Sequence, residues 1–181
     1  MSSHSIWQDL PRNTAAVGAS GRASVGASIK TILTVRYAAV LLYRISQRAG
    51  AISPLLGSML KQVNQAATGA EVAWQAKIES GLILFHPTGV VIGEHASIGR
   101  DCSIQQGVTL GSKYPHKPHE CPSVGDSVQI GAGARILGSI DLGDHSIVGA
   151  NAVVTKDVPA HMIAVGVPAT LRAREVDAET Q

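Results

Sequence analysis

From Val72 onward the apolar positions of this chain keep a six-residue beat. Aliphatic side chains stand at Val72, Ile78 and Leu84, at Ile92, Ile98, Ile104 and Leu110, and again at Val124, Ile130, Ile136, Leu142, Val148 and Val154. Glycine follows many of them directly, as in Ile92-Gly93, Ile98-Gly99, Leu110-Gly111, Ile130-Gly131, Leu142-Gly143 and Val148-Gly149. Four residues after most of them comes a second small or apolar side chain, among them Ala76, Ala96, Cys102, Val108, Ala134 and Ala152. So short a repeat predicts a β-solenoid. Each hexapeptide supplies one short strand and one corner, and only the stacking of successive coils buries the aliphatic column.

The beat breaks twice. Between Leu84 and Ile92 the step is eight, so two extra residues enter directly after Phe85-His86-Pro87. Between Leu110 and Val124 it is fourteen, and the eight extra residues leave the coil in a loop, Ser112 to Ser123, that carries His116, His119, Glu120 and Cys121. A regular solenoid side offers no pocket, so chemistry is expected where the regularity fails.

Ahead of the solenoid, residues 15–28 are Ala, Gly and Ser with one arginine, a composition that predicts a flexible linker. From Lys30 to Arg48 the apolar residues fall at spacings of three and four, which predicts an amphipathic helix with Gly50 as its stop. A second helix is expected from Pro54 through Leu55, Leu56, Met59, Leu60 and Val63, ending before Gly69. Both are expected to cover the open first coil, because a solenoid end exposes apolar core and unpaired strand edges. The organisation expected is a linker and helical segment over 1–68, the solenoid over 69–170 and a charged, frayed tail over 171–181.

Composition narrows the function. A chain of 181 residues has room for one solenoid and a small appendage, and 3% aromatic content suits a narrow interior filled by Val, Ile, Leu and Ala. The net charge is +2 with both signs scattered, which gives no footprint for nucleic acid or an acidic membrane. Cys102 and Cys121 form no disulfide framework; Cys102 is expected to be a buried thiol, in keeping with a cytoplasmic, reducing compartment. The longest apolar segment, Ile32 to Ile45, is interrupted by Arg36 and Arg44 and falls short of the ~20 residues a membrane span needs. Met1 to Leu10 lacks the pattern of a secretion signal.

Between Gly69 and Ala169 the chain resembles the serine acetyltransferase branch of the hexapeptide-repeat acyltransferases. The resemblance is carried by Gly69-Ala70-Glu71-Val72, by His86-Pro87-Thr88-Gly89-Val90-Val91-Ile92-Gly93-Glu94 and by Gln106-Gly107-Val108-Thr109-Leu110-Gly111. It continues through Ile130 to Gly138 and Val165-Gly166-Val167-Pro168-Ala169. It implies a mainly β fold, a left-handed parallel β-helix of triangular section with three hexapeptides to a coil. It also implies acyl transfer from acetyl-CoA to a hydroxyl without a covalent enzyme intermediate and without a metal. By match, His86 is the general base, a role suited to imidazole with its ordinary pKa of about 6.5. Glu71, fifteen positions earlier where the family usually shows aspartate, would hold the other ring nitrogen. Gly111, Ala132 and Ala150 would line the acetyl-CoA groove, where small residues leave room for the pantetheine arm. Thr155 and Lys156 would meet its nucleotide end.

Two departures bear on the acceptor. Where the serine acetyltransferases show Asp-His this chain has Phe85-His86, and where they show Arg-His-Pro it has Glu120-Cys121-Pro122. A glutamate in place of a carboxylate-clamping cation speaks against free L-serine. Phe85 suits a neutral acceptor face through ring stacking. The reading preferred from sequence is therefore an O-acetyltransferase acting on a sugar or other small alcohol, with Phe85, His116, His119, Glu120 and Cys121 around the acceptor. Serine O-acetyltransferase proper is the alternative, and a base drawn from the loop, His116 or His119, is a further one. A γ-carbonic-anhydrase-like metal enzyme using His86, His116 and His119, or a non-catalytic solenoid, are remote alternatives. His95 and His145 are read as solvated surface residues, and His4 and His161 are assigned no role. The resemblance further implies a homotrimer with active sites between subunits. The ending Glu179-Thr180-Gln181, in place of isoleucine, predicts no docking to the sulfhydrylase partner of longer relatives.

Overall fold

The computed structural model describes residues 7–16 and 25–174. Strands of two to four residues follow one another from Glu71 and wind into coils. Each of the first four coils contributes one strand to each of three sheets, A, B and C, and the fifth one to sheets A and C, meeting sheet B only through a bridge from Val158 to Leu142. Sheet A stacks β1 (Glu71–Val72), β4 (Val91–Ile92), β7 (Thr109–Gly111), β10 (Arg135–Leu137) and β13 (Val153–Val154). Sheet B stacks β2 (Lys77–Ile78), β5 (Ser97–Ile98), β8 (Ser123–Val124) and β11 (Asp141–Leu142). Sheet C stacks β3 (Ile83–Leu84), β6 (Ser103–Ile104), β9 (Gln129–Ile130), β12 (Ile147–Val148), β14 (Met162–Val165) and β15 (Thr170–Ala173). All neighbours are parallel except β14 and β15. The prism is the left-handed β-helix expected of hexapeptide repeats, and its three edges lie where the chain turns from A to B, from B to C and from C to A.

Register follows the beat. Val72, Ile92, Leu110, Ile136 and Val154 are stacked partners on sheet A, and Leu84, Ile104, Ile130, Val148 and Ala164 on sheet C. All are buried. Removing each Val, Leu or Ile side chain from water is worth about 1.5–3 kcal/mol, and a slip by one residue would turn the whole column to solvent. Cys102 is wholly buried and donates to the Gly125 carbonyl at 3.1 Å, and burial pushes its thiol up to about 11.

Among the described residues four helices precede the prism: α1 (Leu10–Ala15), α2 (Val25–Ile32), α3 (Val35–Ile52) and α4 (Pro54–Thr68). The second expected helix is found with Gly69 as its left-handed cap at φ 76°. The first differs from expectation. Thr34 caps a new start, its hydroxyl accepting from Tyr37 N–H, and α3 runs through Gly50 to Ile52. Gly50 is no stop, because a Cβ there would collide with the ring of Trp74. The residue is small so that α3, α4 and the first coil can close on that indole. Within the expected linker Ala15 ends α1, Ala16 is its C-cap and 25–28 open α2; residues 17–24 and most of the expected tail, 175–181, lie outside the described residues, as does His4. Strand β15 carries sheet C past residue 170, the expected end of the solenoid.

The helices cover the open coil through backbone chemistry as well as apolar contact. Ala39, Val40 and Tyr43 of α3 join the solenoid core. Tyr43 donates to the Ala76 carbonyl at 2.7 Å, and Arg44 to those of Ile78 and Glu79 at 2.6 Å each. From α1, Arg12 reaches the Gly81 carbonyl and Asn13 the Leu82 carbonyl, and Asp9 accepts from Leu82 N–H at 2.9 Å. Arg44 and Asp9 pair at 2.8 Å with 4% and 0% of their side chains exposed. A charge pair so deep is stable only while both members and their remaining hydrogen bonds are present. Asp9→Ala is therefore expected to lower unfolding stability by about 3–5 kcal/mol, read as a drop in urea midpoint with little change in slope.

Candidate active site

The interruption after β3 makes a protruding corner on the C–A edge. Phe85 N–H still donates to the Ile104 carbonyl at 2.9 Å, so the strand is in register up to that residue. The next five residues must then absorb two extra positions before Val91. Val90 N–H closes a turn on the Pro87 carbonyl at 3.1 Å, and Gly89 N–H crosses to the Gly69 carbonyl at 2.8 Å with φ 73°, a conformation glycine adopts without penalty. The bulge pushes His86 into solvent and leaves Phe85 37% exposed. Above Phe85 a groove of about 310 Å³ climbs sheet C and its C–A edge, lined by Ser103, Gln105, Gln129, Gly131, Gly149 and Ala150. Its floor is tight: a Cβ on Gly131 would come within 2.7 Å of Ala150 N. Ala132, at the same edge, donates its N–H to Gln105 Oε1 at 3.3 Å.

Glu71 opens β1 on this same edge, so the coil brings it to the corner that holds His86. Its carboxylate is held by Lys61 of α4 at 2.9 Å, with Gln65 at 3.5 Å, and no hydrogen bond from His86 reaches it. Sequence reading did not foresee Lys61.

The second interruption leaves the A–B edge. The loop from Ser112 is folded on itself: Ser112 Oγ lies 2.7 Å from both the Tyr114 and the Lys117 carbonyl, its one proton shared between them, and Lys117 pairs with Glu120 at 2.7 Å. Glu120 is thus a neutralised carboxylate, and its partner raises the Lys117 ammonium. His116 stacks on Tyr114 at 5.6 Å, and His119 meets His95 at 4.3 Å between ring centroids. His95, read as a plain surface residue, is held in turn by Glu94 at 3.1 Å. Cys121 is half-buried beside Gly93, and burial pushes its thiol up. A hollow of about 370 Å³ opens here among Gly93, Glu94, Ser112, Tyr114, Pro118 and Cys121.

Gly111 ends β7 on the same A–B edge, and Thr155 and Lys156 follow β13 there, lining a cleft of about 350 Å³ with Asp157, Pro168 and Leu171. The expected site residues therefore fall into two groups. Glu71, Phe85, His86, Ala132 and Ala150 lie on the C–A edge; Gly111, His116, His119, Glu120, Cys121, Thr155 and Lys156 lie on the A–B edge. One leg of sheet A separates them, roughly 15–20 Å at the rise of an extended chain. His86 thus lies on a different edge from His116 and His119, and among the described residues no three His, Cys, Asp or Glu side chains converge in a metal-holding group. Among the described residues no helix is long and apolar enough to cross a membrane.

A left-handed prism of hexapeptides interrupted at two edges is the architecture of a transferase class, and comparison with known proteins agrees. The profile described as bacterial transferase hexapeptide (six repeats) matches residues 122–156, and that of the hexapeptide repeat of succinyl-transferase matches residues 89–113. Serine acetyltransferase of Mycobacterium tuberculosis is 45% identical over 114 residues, 63% of this chain and 50% of that protein. Among solved structures, serine acetyltransferase of Neisseria gonorrhoeae superposes with a TM-score of 0.84 at 33% identity, covering 96% of this chain and 67% of that one. The soybean enzyme complexed with serine gives 0.83 at 34%, covering 93% and 70%. The Brucella abortus enzyme in complex with coenzyme A gives 0.81 at 30%, covering 91% and 66%. The chain belongs to the hexapeptide-repeat acyltransferases, in their serine acetyltransferase-like branch. It spans half the length of the M. tuberculosis relative.

The two thiols separate the buried column from the loop. Iodoacetamide at pH 8 is expected to alkylate Cys121 in the folded protein and to reach Cys102 only after unfolding, as read by peptide mass.

Proposed function

We propose that this chain is an acetyl-CoA-dependent O-acetyltransferase that passes the acetyl group directly to a hydroxyl of a small acceptor, with His86 as general base. The observation that carries the reading is the solvent-facing imidazole on the bulged corner, next to Phe85, which lines the groove of small residues climbing the same edge. The acceptor hydroxyl gives its proton to the imidazole as its oxygen attacks the thioester carbonyl carbon. The tetrahedral oxyanion collapses, the carbon–sulfur bond breaks, and the imidazolium returns the proton to the departing thiolate, giving free CoA thiol and the O-acetyl ester. A relative crystallised with coenzyme A supports the donor.

For the acceptor, sequence reading preferred a sugar or other alcohol, whereas the relatives weigh toward serine O-acetyltransferase proper. Two observations temper the sequence objection to serine. Glu120 does not present a bare negative charge, because Lys117 neutralises it. The ring of Phe85 already has a guanidinium, that of Arg36, over one face.

The division of the site between two edges supports a cyclic homotrimer, in which the C–A edge of one protomer faces the A–B edge of the next. Each protomer then supplies the base and Ala132 and Ala150 to one cleft and the loop, Gly111, Thr155 and Lys156 to another. Glu71 joins the base once Lys61 releases it.

Single replacements His86→Ala, His116→Ala and His119→Ala distinguish the corner base from a loop base. Thiol release from acetyl-CoA is expected to fall by ~100-fold or more only for His86→Ala; a fall of that size in either loop variant instead would move the base to the loop.

A further inference from the structure

Arg36 is the second residue of α3, and Thr34 fixes the start of that helix by capping it. The helix packs along the coil so that the Arg36 guanidinium carbon lies 5.6 Å from the centroid of the Phe85 ring, the residue directly before His86. The side chain is half-buried. Among the described residues no carboxylate pairs with it: Asp9 is taken by Arg44 and Glu71 by Lys61.

Helix stability does not account for a cation at this position. The first turn of a helix carries the positive end of its dipole, so a positive side chain there is placed against the field. No acidic residue in that turn offsets it. A guanidinium lying over an aromatic ring keeps its N–H donors directed outward at its rim, in the fork that matches a carboxylate or phosphate. A half-buried cation held this way lacks the one thing that would offset its lost hydration, an anion.

We propose that Arg36 binds the acceptor. It receives a carboxylate or phosphate group carried by the acceptor alcohol and so directs the hydroxyl toward His86, which makes the preferred acceptors anionic. This rests on the acetyl-transfer reading above and goes further by naming the acceptor class. It also changes the role expected of Phe85, from a stacking face for a neutral acceptor to the platform that orients the cation.

The test uses paired acceptors that differ in the anionic group. L-serine is set against ethanolamine and glucose 6-phosphate against glucose, with thiol release from acetyl-CoA as the readout. The first pair reports on a carboxylate, the second on a phosphate. The wild-type chain is expected to favour the charged member of at least one pair by tenfold or more in kcat/KM. Arg36→Met is expected to raise KM for that member at least tenfold and to bring the ratio toward one, with Arg36→Lys between the two. Circular dichroism and an acetyl-CoA titration verify that the variants fold. Equal use of charged and neutral members by the wild type, or an Arg36→Met effect that falls alike on both, overturns the inference while leaving acetyl transfer intact. Absence of thiol release with every acceptor sinks the acetyl-transfer reading itself, and this inference with it.

Discussion

A parallel solenoid has no natural beginning, since the coil that starts it has neighbours on one side only. Its carbonyls at Ala76, Ile78, Glu79, Gly81 and Leu82 would face either water or apolar helix surface, and an unpaired buried carbonyl is costly. Here Tyr43, Arg44, Arg12 and Asn13 reach them, with Asp9 holding both Arg44 and the Leu82 N–H. Once these side chains are committed, the helices have one seat on the prism. That seat sets Arg36 over Phe85 and Lys61 against Glu71, so the polar lid of the first coil and the electrostatics of the protruding corner are one arrangement.

Much of the prism was legible because its rule is local. A hexapeptide that puts Ile at one position and a small residue four later reads the same in every coil, and the residues so marked are the stacked, buried partners of sheets A, B and C. The corner at His86 and the loop at His116 announced themselves as failures of that rule. What escaped reading depends on residues far apart in sequence. Asp9 meets Arg44 and Leu82 across tens of positions, and Arg36 meets Phe85 only after two helices have folded back on the first coil. Gly50 misled because glycine is ambiguous: the same residue that ends helices also admits close approach, and only the position of Trp74 distinguishes the two. His95 was hidden by regularity, since nothing in its own hexapeptide marks the loop histidine that comes to rest on it.

The division of the candidate site residues across two edges follows from the same geometry. A side of the prism is flat and hydrogen-bonded throughout, so groups that protrude must leave at corners, and two insertions placed one at each end of sheet A cannot meet within a chain. The threefold arrangement proposed above would bring unlike edges together without any further residue. The charge assignments then differ by edge. The corner with His86 carries Arg36 and Lys61, whereas the loop edge has Lys117 and Glu120 satisfying each other.

At the far end the sheet changes direction. Strand β15 runs antiparallel to β14 and all four of its residues are exposed. A parallel stack left bare could accept the first coil of another molecule and propagate into a filament, as unprotected sheet edges do. A strand of opposite polarity, bearing Arg172 and Thr170, breaks the template on sheet C. Helices over the first coil at one pole and a reversed strand on sheet C at the other thus deny the repeat, among the described residues, an open edge of its own polarity at either place.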